Sequence, residues 1–158
     1  MAAYEKAGES NEWYTPKFIF DALGCRFDQD VAAPRGGPRY VPCDRWLDPG
    51  VNGLDVDWFG FVWMNPPFGH QRHKRMWLKK FFEHGNGIAL VPDRTSAPWF
   101  QEYAVKADLI CFLSGKVKYE RPDGSIGGSP GTGTVLLGAG DRAVGALLRC
   151  RLGMVVSV

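Results

Sequence analysis

Hydrophobic positions along this chain keep two rhythms, one helical and one extended, and the changes between them mark out the elements. Residues 1–12 are polar and read as a loose lead-in. Phe18, Ile19, Ala22 and Leu23 then recur at helical spacing. Ahead of them, Thr15 and Pro16 supply an N-cap and a proline at the first helical position, and Gly24 supplies a stop. Arg26 to Val31 alternates as a short strand, and Ala32 to Pro38 breaks into loop. Residues 39–53, with scattered Tyr40, Trp46 and Leu47 among Pro and Gly, read as an irregular connection over a sheet edge. The apolar run Phe59 to Met64 is the expected central strand, and it opens directly into Asn65-Pro66-Pro67-Phe68.

The second half repeats the alternation. Trp77, Leu78, Phe81 and Phe82 form the apolar face of an amphipathic helix that Gly85 ends, with Lys79 and Lys80 between them. Ile88 to Val91, ending at Pro92, has the unbroken apolarity of a buried parallel strand. Asp93 to Pro98 opens a further helix with Trp99, Phe100, Tyr103 and Ala104 on its inner side. Asp108 to Leu113 is another strand, and Lys116 to Glu120 begins a hairpin. The Gly-rich stretch 121–133 lacks the Gly-Lys-Ser/Thr ending of a phosphate loop and reads as a mobile connection able to close over a ligand. Thr134 to Leu137 and Met154 to Val158 close the sheet, with a short helix from Ala143 to Arg151 between them. Strands alternating with helices predict a three-layer α/β fold with an antiparallel edge near the C-terminus.

Composition changes this picture little. With 158 residues, 45% of them apolar and 6 Trp, the chain has enough material for one domain with a substantial core. A net charge of +2 neither requires nor excludes nucleic acid, so clustering of charge matters more than its sum. The densest cluster is Arg72, His73, Lys74 and Arg75, directly after the diproline turn. Cys25, Cys43, Cys111 and Cys150 are too dispersed for a zinc or disulfide-exchange motif, and His70 with His73 lacks completing ligands, so no metal is expected. A reduced, cytoplasmic protein without a signal sequence or membrane span is the simplest account. Nothing in the sequence sets an oligomeric state.

The candidate chemistry sits in the tetrad. Two prolines fix successive φ angles and extend the residue before them, so the Asn65 side chain and the Asn65 and Pro66 carbonyls are held in a set direction. The turn is rich in acceptors and poor in donors. Acceptors for both hydrogens of an exocyclic amine draw its nitrogen toward sp³ geometry and make it nucleophilic without a strong base. Phe68 adds a flat face on which an extruded base can stack. These parts suit methyl transfer to an amino nitrogen.

Asn65-Pro66-Pro67-Phe68 after an apolar strand resembles the catalytic motif of amino-methyltransferases, and the chain as a whole resembles the small phage-type DNA adenine-N6 methyltransferases. Four segments in order carry the likeness: Glu12-Trp13-Tyr14-Thr15-Pro16, Phe27-Asp28-Gln29-Asp30-Val31-Ala32-Ala33, the tetrad, and Leu90-Val91-Pro92-Asp93-Arg94-Thr95. The stretch Phe112 to Tyr119 is a weaker fifth. The resemblance implies a Rossmann-like, S-adenosylmethionine-dependent methyltransferase sheet in one minimal domain spanning 1–158, acting on double-stranded DNA. It makes Asn65, Pro66, Pro67 and Phe68 the catalytic set. Thr15, Pro16, Asp30, Ala32 and Asp57 become contacts to the donor, and Arg72, Lys74, Arg75, Lys79 and Arg94 contacts to DNA phosphates. Ala32-Ala33 and Gly36-Gly37 stand where such enzymes usually carry a Gly-rich turn. Thr15 as a helix cap and Asp57 as a solvated turn carboxylate are the plainer alternatives. The same tetrad type also serves methylation of RNA adenine and of protein glutamine amides, and an idle DNA-binding module of the same fold is a third possibility.

Overall fold

The structure is a computed structural model that describes residues 13–67, 71–128 and 130–158. Phe68, and with it the apolar end of the tetrad, lies outside the described residues, as do Glu12 and His70. Strand β1, Phe27–Asp30, follows helix α1, Lys17–Leu23, whose Ile19, Phe20 and Leu23 are buried. Gly24 ends that helix in the left-handed region at φ 60°, where its N–H reaches Phe20 O at 3.0 Å.

Residues read as an irregular connection contain a strand instead. This is β2, Cys43–Trp46, which pairs in parallel with β1 and forms one edge of the sheet. Its residues are largely exposed. An edge strand with little to bury shows no apolar alternation, and the pattern Cys-Asp-Arg-Trp therefore gives no signal.

The fully buried strand β3, Val62–Met64, lies between β1 and β4, Gly87–Pro92, also fully buried. Helix α2, Gln71–His84, crosses between them and ends at Gly85, φ 73°. Helix α3, Pro98–Tyr103, with Pro98 in its first turn, precedes β5, Leu109–Leu113. The chain closes with β6, Thr134–Ala139, then α4, Asp141–Arg149, then β7, Gly153–Ser157.

The seven strands run in the order β2-β1-β3-β4-β6-β5-β7. Strands β2, β1, β3 and β4 are mutually parallel. The sequence placed antiparallel strands only at an edge, but β6 inserts inside the sheet, antiparallel to both β4 and β5, and β7 then forms the second edge. One face packs on α2 and α3 through Trp77, Leu78, Phe81, Trp99 and Phe100. The other packs on α1 and α4 through Ile19, Phe20, Ala143 and Leu147. Three layers result, as the alternation of elements predicts.

Sheet order decides where a ligand fits. From β1 the chain steps outward to β2 and then returns across β1 to β3, so the loops leaving β1 and β3 diverge and leave a crevice beyond their carboxyl ends. Asp30 ends β1, and Asn65 follows β3 directly, so both stand at this crevice.

Candidate active site

A cavity of about 290 Å³ occupies the crevice, lined by Asp30 and Ala32 after β1, by Leu47 and Asp48 after β2, and by Asn65, Pro66 and Pro67 after β3. Asp30 is 2% exposed. Its carboxylate accepts a hydrogen bond from Ala32 N at 3.1 Å, and burial pushes its pKa up to about 7 against the smaller opposing effect of that bond. A buried carboxyl with so little compensation, facing a cavity, is a place where a cationic ligand gains most.

Asp48 was not picked out by the sequence, because it stood in a segment without readable structure. Its carboxylate accepts from Gly36 N at 3.2 Å and from Gly50 N at 2.9 Å. Those N–H groups hold its pKa below the usual carboxylate range. They also tie the Gly36-Gly37 turn to the end of β2, which shapes this wall in place of a Gly-rich turn. Gly37 lies so close to Trp46 that an added Cβ would stand 2.7 Å from the indole.

The wall beyond is the loop 52–58. Gly53 packs onto the Val31 carbonyl, where an added Cβ would meet the oxygen at 2.1 Å. Lys80, read from sequence as one of the helix's flanking charges, turns inward instead. Its ammonium donates to the carbonyls of Gly53 at 3.0 Å, Leu54 at 3.1 Å and Val56, and lies 5.1 Å from the Trp58 ring centre. Trp58 Nε1 donates to Gly53 O at 2.8 Å. Asp57 of the same loop is exposed and does not line the cavity. The loop's carbonyls are gathered toward Lys80, and its acidic side chains, Asp55 and Asp57, are left to solvent. Asp57 therefore stands apart from the cavity, whose acidic lining residues are Asp30 and Asp48.

Asn65 is half-buried, Pro66 buried and Pro67 exposed. Asn65 Nδ2 donates to Thr15 Oγ1 at 3.1 Å. This corrects the reading of Thr15 as a helix cap: Pro16 occupies the N-cap position, and no side chain caps α1. Pro16 itself does not line the cavity. The segment carrying Thr15 is strapped across the site, because Tyr14 and Glu120 exchange backbone hydrogen bonds of 2.8 and 3.0 Å. The Glu120 carboxylate accepts from Arg39 Nη1 at 2.5 Å and from the Tyr40 hydroxyl at 3.2 Å, and Arg39 also stacks on Tyr14 at 4.1 Å. The first part of the Gly-rich stretch is hydrogen-bonded to itself. Arg121 N bonds Ser125 O at 2.8 Å, Gly127 N bonds Tyr119 O at 2.8 Å, and Asp123 accepts from Ser125 N at 2.9 Å, which closes a hairpin against Tyr14.

The basic residues divide. Lys74 lies 5.2 Å from the Trp99 ring centre, and its pKa is lowered by burial and then by the nearby Arg94. Arg72 is exposed on the first turn of α2, and Arg94 is exposed after β4. Arg75 is paired with Glu102 at 3.0 Å. Lys79 is paired with Glu83 and borders a depression with Gly85, Asp108 and Ala139, at the amino end of β4 and so at the edge of the sheet opposite Asn65. Lys79 stands about two turns into α2 and, unlike Trp77, does not line the cavity. Among the described residues no group of His, Cys, Asp and Glu could hold a metal ion.

The mixed sheet, with its crevice at the β1–β3 reversal, brings an acceptor-rich Asn-Pro-Pro turn and a buried carboxyl to one cavity of an α/β protein. The chain belongs to the DNA N-6-adenine-methyltransferase (Dam) family, whose model matches residues 4–132. No curated protein and no solved structure matches the chain.

Proposed function

We propose that this protein transfers a methyl group from S-adenosylmethionine to the N6 amino group of adenine in double-stranded DNA. The observation that carries the reading is the convergence, in one cavity, of the Asn65-Pro66 acceptor turn after β3 and the buried Asp30 carboxyl after β1. Family membership supports a DNA adenine substrate, and the strand order supports a Rossmann-like methyltransferase sheet.

The residues present fit the donor. Asp30, poorly compensated and buried, suits the cationic methionine moiety. Asp48, at the carboxyl end of β2, stands where open α/β sheets place the carboxylate that binds ribose hydroxyls. Leu47, Pro49 and Trp77 supply apolar surface for an adenine ring. When bound, the donor supplies an electrophilic methyl group on a sulfonium.

The protein's own share is orientation. Asn65 spends Nδ2 on Thr15, which leaves Oδ1 to accept one hydrogen of the adenine amine. The Pro66 carbonyl accepts the other, and the nitrogen lone pair is turned toward the methyl group. With the donor bound, transfer would form the N–C bond as the C–S bond breaks. The resulting ammonium is a strong acid and sheds its extra proton to water, so no dedicated base is required. Phe68 stacks the extruded base, and Arg72, Lys74 and Arg94 neutralise flanking phosphates.

The test is transfer of labelled methyl to unmethylated duplex DNA, with RNA and the Asn65→Ala protein run in parallel and the product base identified by mass spectrometry. N6-methyladenine in DNA that disappears in Asn65→Ala is the expected outcome. Transfer to RNA alone, or undiminished transfer by Asn65→Ala, would overturn the reading.

A further inference from the structure

We propose that Thr15 is a positioning residue for Asn65, its hydroxyl fixing the plane of the carboxamide so that Oδ1 can be presented to the amine to be methylated. The inference rests on the methyl-transfer reading above and assigns the turn a further working part. A carboxamide has one accepting and one donating end, and a half-turn about its terminal torsion exchanges them. With the donating end forward, Asn65 would set N–H against N–H and could not draw the amine hydrogens. The prolines that follow fix its backbone. They leave that terminal torsion, which is intrinsically broad, undetermined.

Thr15 completes the arrangement. Its Oγ1 accepts from Asn65 Nδ2 at 3.1 Å, so when an amine occupies the other side both ends of the carboxamide are satisfied. A hydroxyl donates as well as accepts, so Thr15 holds the carboxamide plane either way round, and the amine, which presents N–H groups, selects the orientation with Oδ1 forward. Thr15 is 7% exposed, and its hydroxyl is not spent on capping α1. Its backbone is fixed from both directions. On one side Tyr14 is paired to Glu120, whose side chain is 13% exposed and whose carboxylate is bonded to Arg39 at 2.5 Å. On the other, Pro16 O accepts from Ile19 N at 3.3 Å and anchors the strap to α1. Residues 50 positions apart in the chain are thereby brought into a bond that aims the proposed catalytic acceptor.

Two readouts on Thr15→Val and Thr15→Ser decide the matter. In ¹⁵N-labelled protein, the Asn65 side-chain NH₂ pair is identified by its loss in Asn65→Ala. Thr15→Val is expected to shift that pair and speed its exchange with water, and Thr15→Ser to leave it near its original position. In single-turnover methyl transfer, Thr15→Val lowers the saturated rate about tenfold, the size of one neutral hydrogen bond, with donor Kd held within about twofold and Thr15→Ser restoring the rate.

An unmoved NH₂ pair in Thr15→Val overturns the inference. So does a loss that falls on donor affinity with the saturated rate intact, which would place Thr15 on the donor instead. Thr15→Ala replaces Thr15→Val if thermal melting shows the latter misfolded. If the unsubstituted protein methylates no DNA, the functional reading fails by itself, and the NH₂ resonance still decides whether Thr15 aims Asn65.

Discussion

At the scale of single residues, Asp30 is the most consequential group in the cavity, because its carboxyl is buried at a cost that only its surroundings can offset. Its pKa rises from 3.8 to about 7 on folding. A raised folded-state pKa means that the folded protein holds the proton more tightly than the unfolded chain. The stabilisation is therefore complete below about pH 4 and is lost as the pH climbs toward and through 7, on the order of 4 kcal/mol in full. Denaturation of the ligand-free protein between pH 5 and 8 is expected to show this decline, and Asp30→Asn to flatten it. Donor binding carries the opposite sign. A cation prefers the ionised carboxylate, so calorimetric affinity for S-adenosylmethionine should strengthen as pH rises through 7, and Asp30→Asn should weaken binding and remove that dependence.

At the scale of elements, the loop between β2 and β3 shows how a helix builds a wall with a polar side chain as well as its apolar face, on which Trp77 stacks with Trp58 at 6.3 Å. Lys80 gathers the carbonyls of Gly53, Leu54 and Val56, and Trp58 bonds Gly53 again from its indole. Together they press Gly53 onto β1, leaving no room there for a side chain. Lys80→Met keeps the stem and removes the donors. Loss of these charge-assisted bonds is expected to cost about 1–3 kcal/mol in chemical denaturation. Donor affinity measured by calorimetry should fall with it, because Asn52 and Gly53 lose their placement on the cavity rim.

At the scale of the whole molecule, positive charge is distributed unevenly with respect to the crevice. Lys74 and Arg94 lie close enough for one to depress the pKa of the other, and a row of phosphates would relieve that repulsion. Arg75 and Lys79 have carboxylate partners already, and Lys79 faces the opposite edge. DNA affinity should fall steeply with salt. Lys74→Ala or Arg94→Ala is expected to reduce the slope of log K against log salt by about one each, and Lys79→Ala to leave it unchanged. Equal effects of all three substitutions, measured by fluorescence anisotropy, would count against this assignment. Among the described residues no helix is long and apolar enough to cross a membrane, and all four cysteines are unbridged.

What the sequence by itself determined is local and repetitive. Unbroken apolar runs placed β3 and β4, helical spacing placed α1 and α2, and glycines at 24 and 85 ended those helices, since a buried strand and an amphipathic helix each need their pattern in consecutive residues. The tetrad was legible for the same reason, as its geometry is dictated by adjacent prolines. The tertiary structure alone decided the rest. Strand β2 buries too little to leave a pattern, β6 inserts by pairing with partners distant in the chain, and Asp48 becomes a cavity residue only once β2 exists. Thr15 illustrates the division most sharply: its neighbours in sequence make it a helix cap, whereas its neighbour in space, Asn65, takes its hydroxyl. Sequence pattern records what a residue does to the chain beside it; which distant group it meets depends on how the sheet is ordered.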